Sequence, residues 1–270
     1  MTGENKKKRR FQSVLYTSNE FHLYIGQLKL SHSKPAAYVP ELMAVALDGK
    51  IGMTLVGDED ISLSSMFSHY GFQRMVSLNG VYAYLILSPG NRYGHILQNR
   101  MKYVAKGLYS GMKNMDDFRD VFNAILMNRP PIEDVKQQLD ELIIGDDYHF
   151  YTNNLIDQRA KKVIQIINEQ PKRNFSVEEL AKEVHLSPSR LMGMFKKEAK
   201  MTIGQYSAFR KLAYAYYLIG EGYTLSNAAK TSGFYDDSHL AKTSRKFFNI
   251  LPSLLFSAEI NTQVISTQKF

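Results

Sequence analysis

Residues Leu180–Glu198 read LAKEVHLSPSRLMGMFKKE, and the order of signals in this stretch decides the fold. Ser176, followed three residues later by Glu179, is a capping box that opens a helix over Val177–Val184. His185-Leu186-Ser187 then makes a tight turn, and Pro188 takes the first position of a second helix, where its missing N–H costs nothing. Leu191, Met194 and Phe195 recur at helical spacing and face inward. The small Ala181 lets the two helices cross closely, which leaves the second exposed enough to enter a major groove: a helix-turn-helix.

The same grammar returns in Ala228–Lys242, AAKTSGFYDDSHLAK. Thr224 caps a helix over Leu225–Ser232, Gly233 ends it, and Asp236 caps the next, which runs through Phe247. A long helix from about Ile203 to Ile219, ended by Gly220, joins the two units. Upstream, a helix over about Ile156–Asn168 stops near Pro171. The expectation is an all-α domain over 155–256, with helix-turn-helix motifs at about 178–199 and 225–248. Pro252 falls near a last short turn, and residues 257–270 form a loose tail. One short helix pair is common in any bundle, but two in tandem are not.

The charge supports a nucleic-acid role. The 270 residues carry 34 Lys and Arg against 26 Asp and Glu, a formal charge of +8. Residues 1–150 hold 17 basic and 16 acidic side chains, and residues 151–270 hold 17 and 10, a net of +7. Residues 1–10 alone carry +4, so residues 11–150 are net −3. A basic tail, expected to be disordered, thus precedes a mildly acidic body and a strongly basic end, an asymmetry that suggests a nucleic-acid-binding module.

The body reads differently. Phe21–Leu30, Leu42–Leu47, Ile51–Val56 and Val81–Leu87 are short runs rich in β-formers. They are broken by Asp48-Gly49 (a hairpin signal), Gly57-Asp58, Asn79-Gly80 and Ser88-Pro89-Gly90. After Gly111 the period becomes helical. Phe118, Val121, Phe122, Ile125 and Leu126 share one face, and after Pro130-Pro131 so do Ile132, Val135, Leu139, Leu142 and Ile143. The expected organisation over 11–150 is a β-rich part, 12–95, and a helical pair, 116–144, whose apolar faces pack on the strands or on a second subunit. Gly145 to Asn154 is the linker. The fold class is α+β: an N-terminal barrel-like sheet domain with a helical pair, then the all-α domain.

Residues 157–253 resemble the DNA-binding domain of AraC/XylS-type transcriptional regulators. The likeness rests on Leu180–Glu198, TIGQY (Thr202–Tyr206), Ala228–Lys242 and FFNILPS (Phe247–Ser253). Lys200 and Asn249 stand where glycine is usual after a recognition helix, Ala228 where isoleucine is commoner, and Ser244 where a phenylalanine normally packs. The resemblance implies a sensor or dimerisation domain at the N-terminus, often cupin-like. It also implies base reading near the start of each recognition helix. Carried over, these positions are Ser189, Met192 and Gly193 in the first, with Arg190 beside them, and Asp237, Ser238, His239 and Lys242 in the second. The second set is the richer in hydrogen-bonding groups. For Asp236 or Asp237 helix capping competes with base contact, and His185 is a turn residue. Lys196, Lys197, Arg210, Lys211, Arg245 and Lys246 are the candidates for phosphate contacts.

Other classes have little support. Without cysteine there is no disulfide framework, thiolate nucleophile or sulfur-ligated metal site. No P-loop, dinucleotide fingerprint, Gly-x-Ser-x-Gly or His-x-x-x-His pair is present. His22, His32, His69 and His95 are isolated, so no metal and no cofactor are expected, and no enzyme. No apolar run approaches the ~18 residues of a membrane helix. The expectation is a cytoplasmic, nucleoid-associated DNA-binding regulator, an activator rather than a repressor. Its partners would be double-stranded DNA, RNA polymerase, an effector in an apolar pocket of the N-terminal half, and a second copy as homodimer. The alternative is a protein-interaction or ligand-carrier protein whose C-terminal helices form a plain bundle.

Overall fold

The computed structural model describes residues 12–30, 40–55, 59–72, 75–145 and 156–266. The basic tail, the Gly57-Asp58 turn and most of the proposed linker lie outside the described residues.

Among the described residues, nine strands and three helices build the N-terminal half. The strands are β1 (Ser13–Thr17), β2 (Phe21–Leu30), β3 (Glu41–Ala46), β4 (Ile51–Thr54), β5 (Asp60–Leu63), β6 (Ser65–Ser68), β7 (Met75–Leu87), β8 (Lys102–Ala105) and β9 (Leu108–Ser110). Helix α1 (Tyr93–Arg100) precedes β8, and α2 (Met115–Asn128) and α3 (Ile132–Ile143) follow β9. The long β7 is the spine, pairing antiparallel with β2, β3 and β4.

The Asp48-Gly49 signal is only half right. The chain does turn there, with Gly49 at a positive φ of 69°. The strands on either side do not pair with each other, however: β3 pairs with β6 and β7, and β4 with β5 and β7. The Asp48 side chain accepts from the Val81 N–H, and the Leu47 N–H donates to the Val81 carbonyl, so the turn is tied to β7.

Side chains alternate across a strand, and the sheet uses both faces. Val14, Tyr16, Phe21, Leu23, Ile25, Leu85 and Leu87 face a core closed by Phe118 and Phe122 of α2 and Val135 and Leu139 of α3. The apolar faces of the helical pair are therefore spent on the sheet. Leu15, Tyr24, Leu28, Leu42, Tyr82 and Ile86 point the other way, into one core shared with the C-terminal helices.

Those helices are α4 (Gln158–Glu169), α5 (Val177–Glu183), α6 (Pro188–Ala199), α7 (Ile203–Gly220), α8 (Leu225–Thr231), α9 (Asp237–Phe248) and α10 (Pro252–Leu255). Eleven of the eighteen residues of α7 are buried. A helix buried nearly all round must sit at the centre of its surroundings, and α7 does: it holds α8 and α9 and also faces the sheet.

The expectation of a loose tail after Phe256 is corrected. Residues Thr262–Ser266 form β10, which pairs parallel with β1 and extends the sheet to the order β10-β1-β2-β7-β3-β6-β9-β8. Ser13 Oγ and Thr262 Oγ1 lie 2.7 Å apart, and the Thr262 hydroxyl also donates to the Leu255 carbonyl at 2.5 Å. A methyl group on Gly220 would come within 2.5 Å of Val264 Cβ, so glycine lets the end of α7 approach this strand. The polar run NTQVIS carries no core signal of its own; its pairing partner is some 250 residues away in sequence (Thr262 opposite Ser13), and a local reading does not reach that far.

Candidate nucleic-acid interface

Each helix-turn-helix is fixed by caps that the sequence supplies. Ser176 and Glu179 make both hydrogen bonds of the capping box at α5, and the Ser187 side chain accepts from the Arg190 N–H at α6. Thr224 caps α8 through the Asn227 N–H, and Asp236 caps α9 through the His239 N–H at 2.7 Å. Asp236 is therefore the capping aspartate, and Asp237 stays exposed on the first turn.

The two turns are copies of one device. The Leu186 N–H donates to the Ala181 carbonyl at 3.0 Å, and the Phe234 N–H donates to the Ala229 carbonyl at 2.9 Å. Between donor and acceptor each turn holds one residue at positive φ, His185 at 54° and Gly233 at 86°. Ala181 and Ala229 are buried where the helices cross. Beyond the turn the second unit has one extra residue. Ser187, Leu191, Phe195 and Lys200 thus correspond to Asp236, Leu240, Ser244 and Asn249. Lys200 (φ 58°) and Asn249 (φ 57°) close their helices in the left-handed conformation usual for glycine, which asparagine tolerates well.

Ser244 replaces a core aromatic with a polar link. Phe195 is fully buried and its ring lies 6.0 Å from that of Tyr206. Ser244 is equally buried, but its Oγ lies 2.7 Å from the Tyr216 hydroxyl and donates to the Ile250 carbonyl. Tyr216, reaching in from α7 and packed against Phe248 and Phe256, supplies the ring that the serine lacks.

All of the base-reading candidates are exposed: Ser189, Arg190, Met192 and Gly193 on α6, and Asp237, Ser238, His239 and Lys242 on α9. Met192 is half exposed despite its apolar chain. The His239 ring packs edge-on to Phe234 with centroids 5.3 Å apart, so buried structure orients it. Lys196 and Lys197 on α6 and Arg245 and Lys246 on α9 are exposed in the corresponding last turns.

Two phosphate candidates must be withdrawn. Arg210 is fully buried, donating from Nη1 to the Ser18 carbonyl at 3.2 Å and from Nη2 to Asn19 Oδ1 at 2.9 Å. Lys211 is buried too, its ammonium on Asn174 Oδ1. Burial lowers the pKa of both. These cations anchor α7 to the β1–β2 turn and to the loop before α5, and neither faces solvent. The sequence reading also passed over Tyr235, which lies 87% exposed immediately before the cap of α9. An aromatic residue in a turn between a buried Phe and a capping Asp was its only signal.

Among the described residues no group of three or more His, Asp or Glu is placed to hold a metal ion, and no helix is long and apolar enough to cross a membrane. A second feature lies where the halves meet. The sheet face, α7 and the end of α9 enclose an apolar cavity of about 130 Å³.

A family model described as a helix-turn-helix domain matches residues 180–257, spanning both units. No curated protein matches the chain. Among solved structures, a single-residue variant of apo ToxT from Vibrio cholerae is similar over 88% of this chain and 97% of its own, at 13% identity and a TM-score of 0.56. Wild-type ToxT from Vibrio cholerae with an unsaturated fatty acid bound covers 88% and 96%, at 11% identity and 0.53. ToxT bound to (E)-4-(8-methylnaphthalen-1-yl)but-3-enoic acid covers 87% and 97%, at 13% identity and 0.54. At such identities these likenesses speak for the fold: a sheet domain followed by a helical domain. Together these findings show a helix-turn-helix domain over residues 180–257, carried by a chain that folds as a sheet domain followed by a helical domain.

Proposed function

We propose that the protein is a sequence-specific activator that sets its two helix-turn-helix units into successive major-groove segments on one side of the duplex, with α7 fixing their spacing. The observation that carries this is the division of residues on α6 and α9. Their apolar stripes are buried, while potential base readers near the start and cations in the last turn face solvent in both units. A plain bundle has no need to repeat that division. Lys242 can donate to guanine, His239 to a base acceptor and Asp237 can accept from cytosine, so α9 is the main reader. Tyr235 adds an aromatic face at its mouth. Lys196, Lys197, Arg245 and Lys246 meet phosphate.

The N-terminal domain controls this reader through an effector, through dimerisation, or both. Structures of ToxT with a fatty acid and with an aromatic acid bound support effector control in this fold. The apolar cavity at the junction supports it in this chain. Edge strand β8, which leaves Tyr103 and Val104 exposed, offers a surface for a second copy. The protein acts without catalysis, inside the cell, through DNA and RNA polymerase.

The test is fluorescence anisotropy of the full chain on promoter DNA across a salt series. With four phosphate cations the log–log slope should lie near −3.6, at about −0.9 per phosphate. Lys242→Ala and His239→Ala should relax sequence preference, whereas Lys197→Ala and Arg245→Ala should weaken all sequences alike. A slope near zero would refute the DNA role. Loss of specificity only on changing Ser189 or Met192 would reverse the assignment of the main reader.

A further inference from the structure

The cavity at the domain junction contains two unanswered polar atoms. Thr17 and His22 line the cavity, and their Oγ1 and Nε2 atoms are buried and lack any hydrogen-bond partner. They are also neighbours, because Thr17 and His22 face each other across the antiparallel β1–β2 ladder. Side chains so paired lie about 5 Å apart at Cβ, close enough to grip one small group. The rest of the wall is apolar: Leu28, Leu42 and Ile86 from the sheet, Ala213 from α7, and Phe247 and Phe248 from α9. The other tyrosines and amide in the wall are engaged; Tyr24, for example, donates to the Gln27 carbonyl and Tyr216 bonds Ser244.

We propose that this cavity binds a neutral, largely apolar molecule bearing a hydroxyl group, which exchanges hydrogen bonds with His22 Nε2 and Thr17 Oγ1. A hydroxyl both donates and accepts, so it suits a threonine and an imidazole in either tautomer. No Lys, Arg, Asp or Glu is among the described residues lining the wall. A bound carboxylate would thus enter a buried site with no cation among the described residues of its wall, at a steep desolvation cost. Arg210, whose charge is felt at His22, is turned to Ser18 and Asn19 and does not line the cavity. Burial, helped by Arg210, keeps His22 neutral by holding its pKa well below 6.5. The occupant would touch β1 and β2 at one end and the end of recognition helix α9 at the other, which links ligand to reader. This deepens the effector-control reading above and rests on it.

Octanol and octanoate can be titrated into the full chain by calorimetry, with DNA anisotropy run on the same samples. Octanol should bind more tightly than octanoate. His22→Leu and Thr17→Val should each weaken octanol roughly threefold to tenfold, the range one hydrogen bond supplies. Ala213→Leu, which fills the cavity from α7, should abolish binding. Octanoate binding at least as tightly as octanol would overturn the neutral class. Failure of octanol to bind, or binding indifferent to Ala213→Leu, would overturn the site. DNA binding by the ligand-free protein is a separate readout, so loss of the site with DNA binding intact leaves the regulator reading standing.

Discussion

Replacing Ser244 with alanine tests how the second helix-turn-helix survives without its aromatic. The substitution removes one oxygen, the one bonded both to the Tyr216 hydroxyl and to the Ile250 carbonyl. Tyr216 is buried, which also pushes its pKa well up, so losing the serine strips its hydroxyl of the partner it has in the fold. A buried polar group stripped of its partner costs about 1–3 kcal/mol. Tyr216→Phe removes the orphan itself and leaves Ser244 its bond to Ile250, so it should cost only about 0.5–1.5 kcal/mol. The double variant should then be less damaging than the two added together, with a coupling of about 1 kcal/mol. Urea unfolding of the four proteins, followed by far-UV circular dichroism, gives these differences as midpoint shifts at constant slope. Additive losses, or a Ser244→Ala cost below about 0.5 kcal/mol, would show that the polar link does not hold α9. Ser244→Phe should not rescue, because Tyr216, Phe248 and Phe256 already occupy the space, and overpacking costs about 1–3 kcal/mol.

Arg210→Met should lower the unfolding midpoint while leaving the salt slope of DNA binding unchanged; a slope reduced by about 0.9 would return Arg210 to the phosphate contacts. Arg210→Lys should not restore stability, since a point charge cannot span the Ser18 carbonyl and Asn19 as the guanidinium does. Stability should fall in acid because of His22: its folded pKa is depressed, so below pH 6.5 the unfolded chain binds the extra proton. The loss should grow steadily as the pH falls below 6.5, and His22→Leu should remove that part of the pH dependence in urea titrations at several pH values. Gly220→Ala should destabilise the chain by pressing on Val264, and adding Val264→Ala should recover most of the loss; thermal melts without that recovery would argue against the contact.

Most of the C-terminal domain is legible because its signals are local. Ser176, Ser187, Thr202, Thr224 and Asp236 each cap the helix they precede, and each acts within four residues of itself. The face of α6 and α9 that carries the candidate site follows from the same local period. The N-terminal sheet is legible only as strands, since pairing depends on partners far along the chain. Asp48-Gly49 correctly marks a turn, but β7, some thirty residues on (Val81 after Asp48), decides what the flanking strands pair with. β10 is the extreme case, a polar segment made into a strand by the open edge of β1.

Arg210 and Lys211 show why charge alone misplaces a residue. Both sit in the stretch of α7 from Phe209 to Leu218, whose other residues are all apolar or aromatic, among them Phe209, Leu212, Tyr214 and Tyr216. Such a helix has no solvent face on which to display a cation, so each cation must find a buried acceptor. The β1–β2 turn offers the Ser18 carbonyl and the Asn19 amide oxygen, and the loop before α5 offers Asn174. The same reasoning runs backwards on α6 and α9. Their cations occupy helices with a strong apolar stripe on one side only, and there the charged side chains are exposed. Whether a lysine or arginine can reach DNA therefore depends first on how many faces of its helix are apolar. By that measure α7 belongs to the junction between the halves, while α6 and α9 keep exposed the cations that the proposed DNA contacts need.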